Sequence, residues 1–184
     1  MPPIIPQIVG LLAVAAFLFS YQQKKRRNII LFNVISRLLY ILQYVLLGAF
    51  SGAVLDVMGA ISSIIAAKKD VPFIKKHTKL IVIVLDVLIV AAGLLLYEDV
   101  FSLLPIAGVL LHTTAFWIND EKIIRRVSLL GSPFWFVYNF YSKAYFSSLG
   151  DALSMVSIVI AMIKFRDKKD NKKEIKAGEG KENV

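Results

Sequence analysis

The sequence predicts an all-α fold, a polytopic membrane bundle of seven transmembrane helices. Its 184 residues are 57% hydrophobic and only 19% charged, whereas a soluble domain usually has about a quarter charged residues. The apolar residues fall into seven blocks near the roughly 20 residues that cross a bilayer, and the charged residues collect between the blocks. These observations exclude an ordinary soluble fold. The lack of cysteine excludes a disulfide scaffold, an iron–sulfur protein and a zinc finger.

The seven blocks define the predicted helices in chain order. The first covers residues 4–21 and opens with prolines, which suit a helix start. It has no charge before it and basic residues after it, the reverse of a signal peptide. The other six predicted helices span residues 29–48, 50–67, 80–97, 101–118, 127–142 and 147–165. Residues 1–165 are therefore the predicted transmembrane domain, and the polar segment 166–184 is predicted to be a disordered cytoplasmic tail.

The distribution of basic residues predicts the orientation in the membrane. Of 22 Lys and Arg residues, 20 lie in segments 22–28, 68–79 and 119–126 or from residue 164 onward. Only Lys143 lies in a connection on the other side. Because basic residues are retained on the cytoplasmic side, the N-terminus is predicted outside and the C-terminus in the cytoplasm. The same rule explains the net charge of +9 without nucleic acid as a partner.

Two triplets of predicted helices can be laid over each other. Ala16-Phe17 and Arg26-Arg27 fall on Ala115-Phe116 and Arg125-Arg126 at an offset of about 99 residues, and Asp56 falls on Asp151 at about 95. Both triplets start outside and end inside, so they are predicted to be parallel repeats. The plan is repeat one over residues 4–67, a linker helix over 80–97 and repeat two over 101–165.

Three stretches carry a family resemblance: LQYVLLGAFSGA at 42–53, LLPIAG at 103–108, and WFVYNF at 135–140 continuing to 166. Together they resemble the YgjV-like bacterial inner membrane proteins. The resemblance implies an inner membrane location and an architecture similar to the 3+1+3 facilitators of the SWEET and PnuC type. PQ-loop relatives have a Pro-Gln pair toward the cytoplasmic end of a repeat's first helix, whereas Pro6-Gln7 lies at the opposite end here. The likeness to facilitators therefore concerns the fold.

Four ionisable residues lie inside predicted helices, where each costs about 2.5–3.5 kcal/mol and indicates a function. Arg37 and Asp56 are predicted to lie at similar depth and to pair. The pair either fixes helix packing or forms a gate or proton-linked site. Asp151 occupies the position that matches Asp56 in repeat two, and Asp86 in the linker helix is expected to find a local partner.

The best candidates for a binding site are Trp135, Tyr138 and Asn139 in the sixth predicted helix. Gln43 and Tyr44 stand at the matching positions of repeat one, beside Tyr40. These side chains either line a cavity for a ring-bearing polar solute or form an interfacial aromatic belt with one interhelical hydrogen bond. Pro105 and Pro133 are predicted inside helices, where proline introduces a kink.

The sequence favours a small-solute facilitator over a non-transporting structural or assembly protein. No enzyme activity is predicted, since phosphate loops, HExxH and Gly-x-Ser-x-Gly motifs are missing from the sequence. His112, the one histidine inside a predicted span, has no partner at i+3 or i+4 and favours a structural or pore-lining role. No cofactor or metal is expected; the predicted partners are the lipid bilayer and a small polar solute, and the oligomeric state stays open.

Overall fold

A computed structural model describes residues 4–179, with side chains through Lys164. Over this range the protein contains helices, turns and no strand, so the all-α prediction is confirmed. The described elements, with a 3-10 turn at Val100–Leu103, are α1 (Ile4–Tyr21), α2 (Arg26–Leu47), α3 (Phe50–Ala67), α4 (Pro72–Lys76), α5 (Thr78–Leu95), α6 (Leu104–Phe116), α7 (Glu121–Tyr141) and α8 (Tyr145–Glu179).

The predicted helices differ from the structure chiefly at their polar ends. α1 and α3 have the predicted bounds, whereas α2 and α7 begin three and six residues earlier, at Arg26 and Glu121. Asp120 caps α7, because its side chain accepts a hydrogen bond of 2.7 Å from the backbone N–H of Lys122. Hydropathy places a helix start at the first apolar residue and misses such charged first turns.

Five helices in the described range are long and apolar enough to cross a membrane. They are α1, α2, α3, α5 and the first part of α8, residues Tyr145–Lys164. The segment Val100–Phe116 is apolar but shorter. The structure thus shows a multispanning helical protein with five candidate spans among the described residues.

The structure corrects the prediction of an interior proline in the fifth predicted helix. Pro105 lies in the first turn of α6, directly after the 3-10 turn that the Asp99 side chain caps. Proline fits there because the first turn needs no backbone donor. Pro133, by contrast, lies inside α7, as predicted.

The C-terminal segment continues the last helix. α8 extends beyond the predicted boundary at residue 165 to Glu179, and side chains are described only through Lys164. Residues 180–184 lie outside the described residues, and the disordered state of the tail at 166–184 stays a prediction.

Six helices pack into a closed ring. α2 packs between α1 and α3, α7 packs between α6 and α8, and the two triplets meet where α3 contacts α6 and where α8 contacts α1. α5 lies outside the ring against α3 and α6. Most large side chains on the outer surface are apolar, whereas serine, asparagine, glutamine and charged side chains are buried within the ring. This inverted polarity suits a lipid environment around a polar interior.

Candidate functional site

The six helices of the ring enclose a small cavity with aromatic and polar lining residues, called the central cavity below. Its volume is about 30 Å³, which gives room for about two water-sized groups. Each helix of the ring contributes at least one side chain. The lining residues are Phe17, Asn33, Ser36, Arg37, Tyr40, Tyr44, Asp56, His112, Trp135, Asn139 and Asp151.

One wall of the central cavity is a buried ion pair between α2 and α3. Arg37 Nη1 contacts Asp56 Oδ1, and both side chains are about 5% exposed. Arg37 Nε also donates a hydrogen bond of 3.1 Å to Asn33 Oδ1 one helical turn earlier. Gly59 faces the guanidinium, and a side chain there would collide with Arg37. The missing side chain of Gly59 therefore lets Arg37 lie across α3.

A hydrogen-bonded chain crosses the cavity from one triplet to the other. Tyr44 Oη donates to Asn139 Oδ1 at 2.7 Å, and Asn139 Nδ2 donates to Asp151 Oδ2 at 2.7 Å. Asp151 is 4% exposed, and Asn139 is its one hydrogen-bond donor among the described residues. This chain joins α2, α7 and α8 at the centre of the ring.

Aromatic rings stack along the same wall. Tyr44 lies between Tyr40 and Trp135, with ring centroids 6.1 and 6.2 Å away and interplanar angles of 18° and 15°. The Tyr40 hydroxyl is buried and makes no hydrogen bond within the described range. The rings thus present an aromatic wall with one free polar atom.

Tyr138 closes one end of the central cavity. Its hydroxyl accepts a hydrogen bond of 2.9 Å from the Gly52 N–H and lies 2.8 Å from Ser51 Oγ. Its ring meets Tyr44 and Trp135 edge to face at about 6 Å. Tyr138 therefore connects α7 to the start of α3, next to the aromatic wall.

A second cavity, called the vestibule, lies on the other side of Tyr138. Its volume is about 260 Å³, and its charged lining residues are Glu98, Asp99 and Lys143. The hydroxyl of Tyr141 hydrogen-bonds Asp99 and lowers the pKa of that carboxyl group, so Asp99 is ionised at neutral pH. Tyr138 lines the vestibule, and its ring contacts Tyr44 and Trp135, which line the central cavity.

Two arginines bind backbone carbonyls between the triplets at the opposite end of the ring, and we call them the arginine clasps. The first is Arg26 at the start of α2. Its Nε donates to the carbonyls of Phe116 and Ile118 at 3.0 and 3.1 Å, and its Nη2 donates to the carbonyl of Ala66 at 2.8 Å. Arg26 therefore binds the C-terminal ends of α6 and α3, where unpaired carbonyls and the helix dipole favour a cation.

The second clasp, Arg125 of α7, makes the reciprocal contact. Its Nε donates to the carbonyl of Tyr21 at 3.3 Å and its Nη2 to the carbonyl of Gln23 at 2.9 Å, both at the end of α1. Each clasp thus reaches from one triplet to the first helix of the other. Sequence reasoning used Arg26 and Arg125 for orientation and repeat matching and missed this contact.

The structure brings most of the predicted site residues together. Arg37, Asp56 and Asp151 line the central cavity with Tyr44, Trp135 and Asn139. Tyr138 lies beside it, and Gln43 points elsewhere, since its Oε1 accepts a hydrogen bond of 2.6 Å from Ser147 Oγ. Trp135 and Tyr138 are 7% and 3% exposed, so they are not the lipid-facing belt of the alternative interpretation.

Some residues behave differently from expectation or were not singled out. Asp86 is half-buried on α5 and forms no hydrogen bond or ion pair within the described part of the chain, so the expected local partner is not found. Asn33 and Ser36 line the cavity unpredicted. Asn33 is four residues before Arg37, and Ser36 is four residues before Tyr40, so these side chains share a helix face, and this spacing was the available signal.

His112 lines the cavity from α6. Its Nδ1 lies 2.9 Å from the carbonyl of Gly108, and Phe17 meets its ring edge to face at 5.9 Å. Among the described residues, no three His, Cys, Asp or Glu side chains are grouped to hold a metal ion. His112 thus lines the central cavity and has a local hydrogen-bond partner on its own helix.

Comparison with known proteins gives one match. The family model Imp-YgjV, described as a bacterial inner membrane protein, matches residues 4–169. No curated protein and no solved structure matches the chain.

Proposed function

The chain belongs to the Imp-YgjV family of bacterial inner membrane proteins, and we propose that it is a small-solute facilitator. The proposed substrate site is the central cavity, between two three-helix repeats. The observation that carries the proposal is a cavity at the centre of the ring, lined by aromatic and polar side chains from all six ring helices. Ligand sites are commonly built between the helices of bundles from a few convergent polar groups.

The helix bounds support the repeat interpretation. α2 and α7 begin at Arg26 and Glu121, and α3 and α8 begin at Phe50 and Tyr145, so both pairs are 95 residues apart. α1 and α6 end at Tyr21 and Phe116, also 95 residues apart. For the first helices of the two repeats, the structure therefore favours a sequence offset of 95 residues over the predicted 99. If each helix is replaced by its counterpart in the other triplet, α3 becomes α8 and α6 becomes α1. The α3–α6 contact then becomes the α8–α1 contact, and the structure has both.

One hydrogen bond and two backbone angles also relate the two triplets. Tyr44 and Asn139 are 95 residues apart and bind each other, as expected for partners on a twofold axis. Gly48 and Lys143, also 95 apart, are the described residues with positive φ, at 73° and 61°. Both follow the last turn of a second helix, so the α2–α3 and α7–α8 connections share one backbone shape. We infer two parallel repeats with α5 as the linker.

The helix lengths allow seven crossings. α7 has 21 residues, about 32 Å at 1.5 Å per residue, and its charged residues lie in its first two turns. The 3-10 turn and α6 together form the apolar segment Val100–Phe116, short by a few residues. A short crossing is accommodated by local thinning of the bilayer at modest cost. We therefore retain seven spans in the proposal.

The described conformation is closed at both ends. Tyr138 separates the central cavity from the vestibule, and the arginine clasps close the other end. A cavity of about 30 Å³ is well below the roughly 300 Å³ of common ligand sites. Transport therefore requires the repeats to move apart at each end in turn, and the missing backbone donor of Pro133 makes α7 the helix that bends most easily.

The facilitator proposal predicts that a thiol placed in the cavity is reached by water. We expect Ser36→Cys to react with a small water-soluble thiol reagent in membranes, because the repeats must open to load a solute. Serine to cysteine is a small change, and the chain has no other cysteine. Labelling is followed by mass spectrometry of the intact protein.

Ser132→Cys is the matched control. Ser132 is equally buried but does not line the central cavity, so it should stay unreactive, while Lys143→Cys in the vestibule should react fully. If Ser36→Cys is as inert as Ser132→Cys, the ring does not open. The non-transporting structural or assembly function would then be the better interpretation.

The proposed orientation makes a separate prediction. With seven crossings and basic connections in the cytoplasm, a reporter that is active only in the periplasm should be silent when fused after residue 170. The same reporter inserted after Lys143 should be active. An active fusion after residue 170 would overturn the predicted topology, and the parallel-repeat argument with it.

A further inference from the structure

The carboxylate of Asp151 is a buried acid with no cationic partner among the described residues. Asn139 supplies its one hydrogen bond, at 2.7 Å, and Arg37 is engaged by Asp56 instead. An ionised carboxylate that is buried without a partner is strongly destabilising, so such groups are paired or neutralised. Something that enters the cavity must therefore compensate Asp151.

When Asp151 is ionised, the described side chains that line the central cavity carry a net negative charge. Arg37 and Asp56 cancel, and Asp151 remains. His112 also lines the cavity, and within the described range it forms no ion pair with Asp151. An ionised Asp151 is therefore a carboxylate without a cation.

The aromatic wall is suited to a cation as well. The aromatic wall and Phe17 line the cavity, and Tyr44 is stacked between Tyr40 and Trp135. An ammonium group over the uncovered face of Tyr40, Trp135 or Phe17 would be attracted to the ring, most strongly when water is excluded. The buried Tyr40 hydroxyl has no hydrogen-bond partner among the described residues and offers an acceptor to an N–H donor. The wall and Asp151 therefore face the same small volume with complementary means of binding one positive head group.

The vestibule also has more acidic than basic lining residues. Glu98 and Asp99 outnumber Lys143 along its wall, and the Tyr141 hydroxyl holds Asp99 in its ionised form. A recess lined by one sign of charge raises the local concentration of the opposite ion. Cations are therefore enriched directly outside Tyr138.

We propose that the solute is a small organic ammonium cation, held by the carboxylate of Asp151 and the aromatic wall of the central cavity. The proposal rests on the facilitator function and adds the class of substrate. A proton is the competing occupant, because it also neutralises Asp151. A proton bound to Asp151, however, would not interact with the aromatic wall.

The test is thermal unfolding of the purified full chain in detergent, with methylammonium chloride and choline chloride as probes. Their neutral counterparts, methanol and 3,3-dimethylbutan-1-ol, have nearly the same shapes without the charge, and sodium chloride controls for ionic strength. We expect at least one cation to raise Tm by about 2–4 °C, because a ligand that binds only the folded state stabilises it. The neutral counterparts should produce no rise.

Asp151→Asn should abolish the rise, whereas Asp86→Asn, a carboxylate outside the cavity, should retain it. Asp151→Asn should also have a higher Tm without ligand, since it removes an uncompensated charge and keeps an acceptor for Asn139. A full rise in Asp151→Asn, or no cation above its neutral counterpart, would overturn the proposal. In the latter case a reactive Ser36→Cys would leave the facilitator function standing, and only the class of substrate would be wrong.

Discussion

Arg37→Ala is expected to lower the free energy of unfolding by about 3–5 kcal/mol. The substitution leaves Asp56 as a second buried carboxylate without a cation, beside Asp151 in the same small cavity. It also removes the donor to Asn33 on α2. Unfolding in detergent with increasing dodecyl sulfate measures the change.

Two further variants separate the ion pair from general damage. Arg126→Ala removes an exposed arginine of α7 and should change the stability by less than about 0.5 kcal/mol. The double variant Arg37→Ala with Asp56→Ala removes both charges and should be milder than Arg37→Ala alone. A double variant that is as unstable as the sum of the two single variants would show that the two side chains do not stabilise each other.

The ion pair is also the part of the site that the sequence predicted best. An arginine and an aspartate at similar depth in neighbouring helices have few other partners in a membrane. Their contact is therefore expected from the free-energy cost of leaving either charge unpaired there. The position of Asp151 in the site was predicted only from its match to Asp56 in the other repeat. Its partner, Asn139, could not be inferred, because the hydrogen bond depends on how α7 and α8 are rotated about their axes.

The same rotation explains the error at Gln43. It was grouped with Tyr44 because aromatic and amide side chains recur in both repeats. Successive residues of a helix point about 100° apart, so Tyr44 faces the cavity and Gln43 faces α8, where it meets Ser147. Residue types at matching positions predict which helices meet, whereas the helix face decides which side chains line the site.

The bounds of the helices were predictable where hydropathy changes sharply, as at both ends of α1 and α3. They were not predictable at Arg26 and Glu121, where charged residues continue the helix beyond the apolar block. There the charges serve tertiary contacts: Arg26 lies in the first turn of α2, and its guanidinium binds the end of α6. The tertiary contacts at this end of the ring are therefore made by residues that a hydropathy pattern assigns to a loop.

The arginine clasps carry the second large effect. Arg125→Ala is expected to lower the free energy of unfolding by about 2–3 kcal/mol, because it leaves the carbonyls of Tyr21 and Gln23 without a charged donor at a mostly buried helix end. Arg26→Ala should have an effect of similar size through Phe116 and Ile118. Arg125→Lys should restore only part of the loss, since an ammonium group cannot reproduce the planar fork of a guanidinium.

Stability alone does not distinguish a gate from a structural contact, but the direction of access does. Ser20 is fully buried near the end of α1, so in an Arg125→Ala background Ser20→Cys should become several-fold more reactive toward an impermeant thiol reagent added at the clasp end. Reactivity of Lys143→Cys in the vestibule should not change. If the clasps are gates, loss of one opens a single end of the ring, because the hydrogen bonds of Tyr138 still close the other. If both ends become reactive together, the clasps only hold the bundle together. Alternating access would then need a closure other than these two arginines.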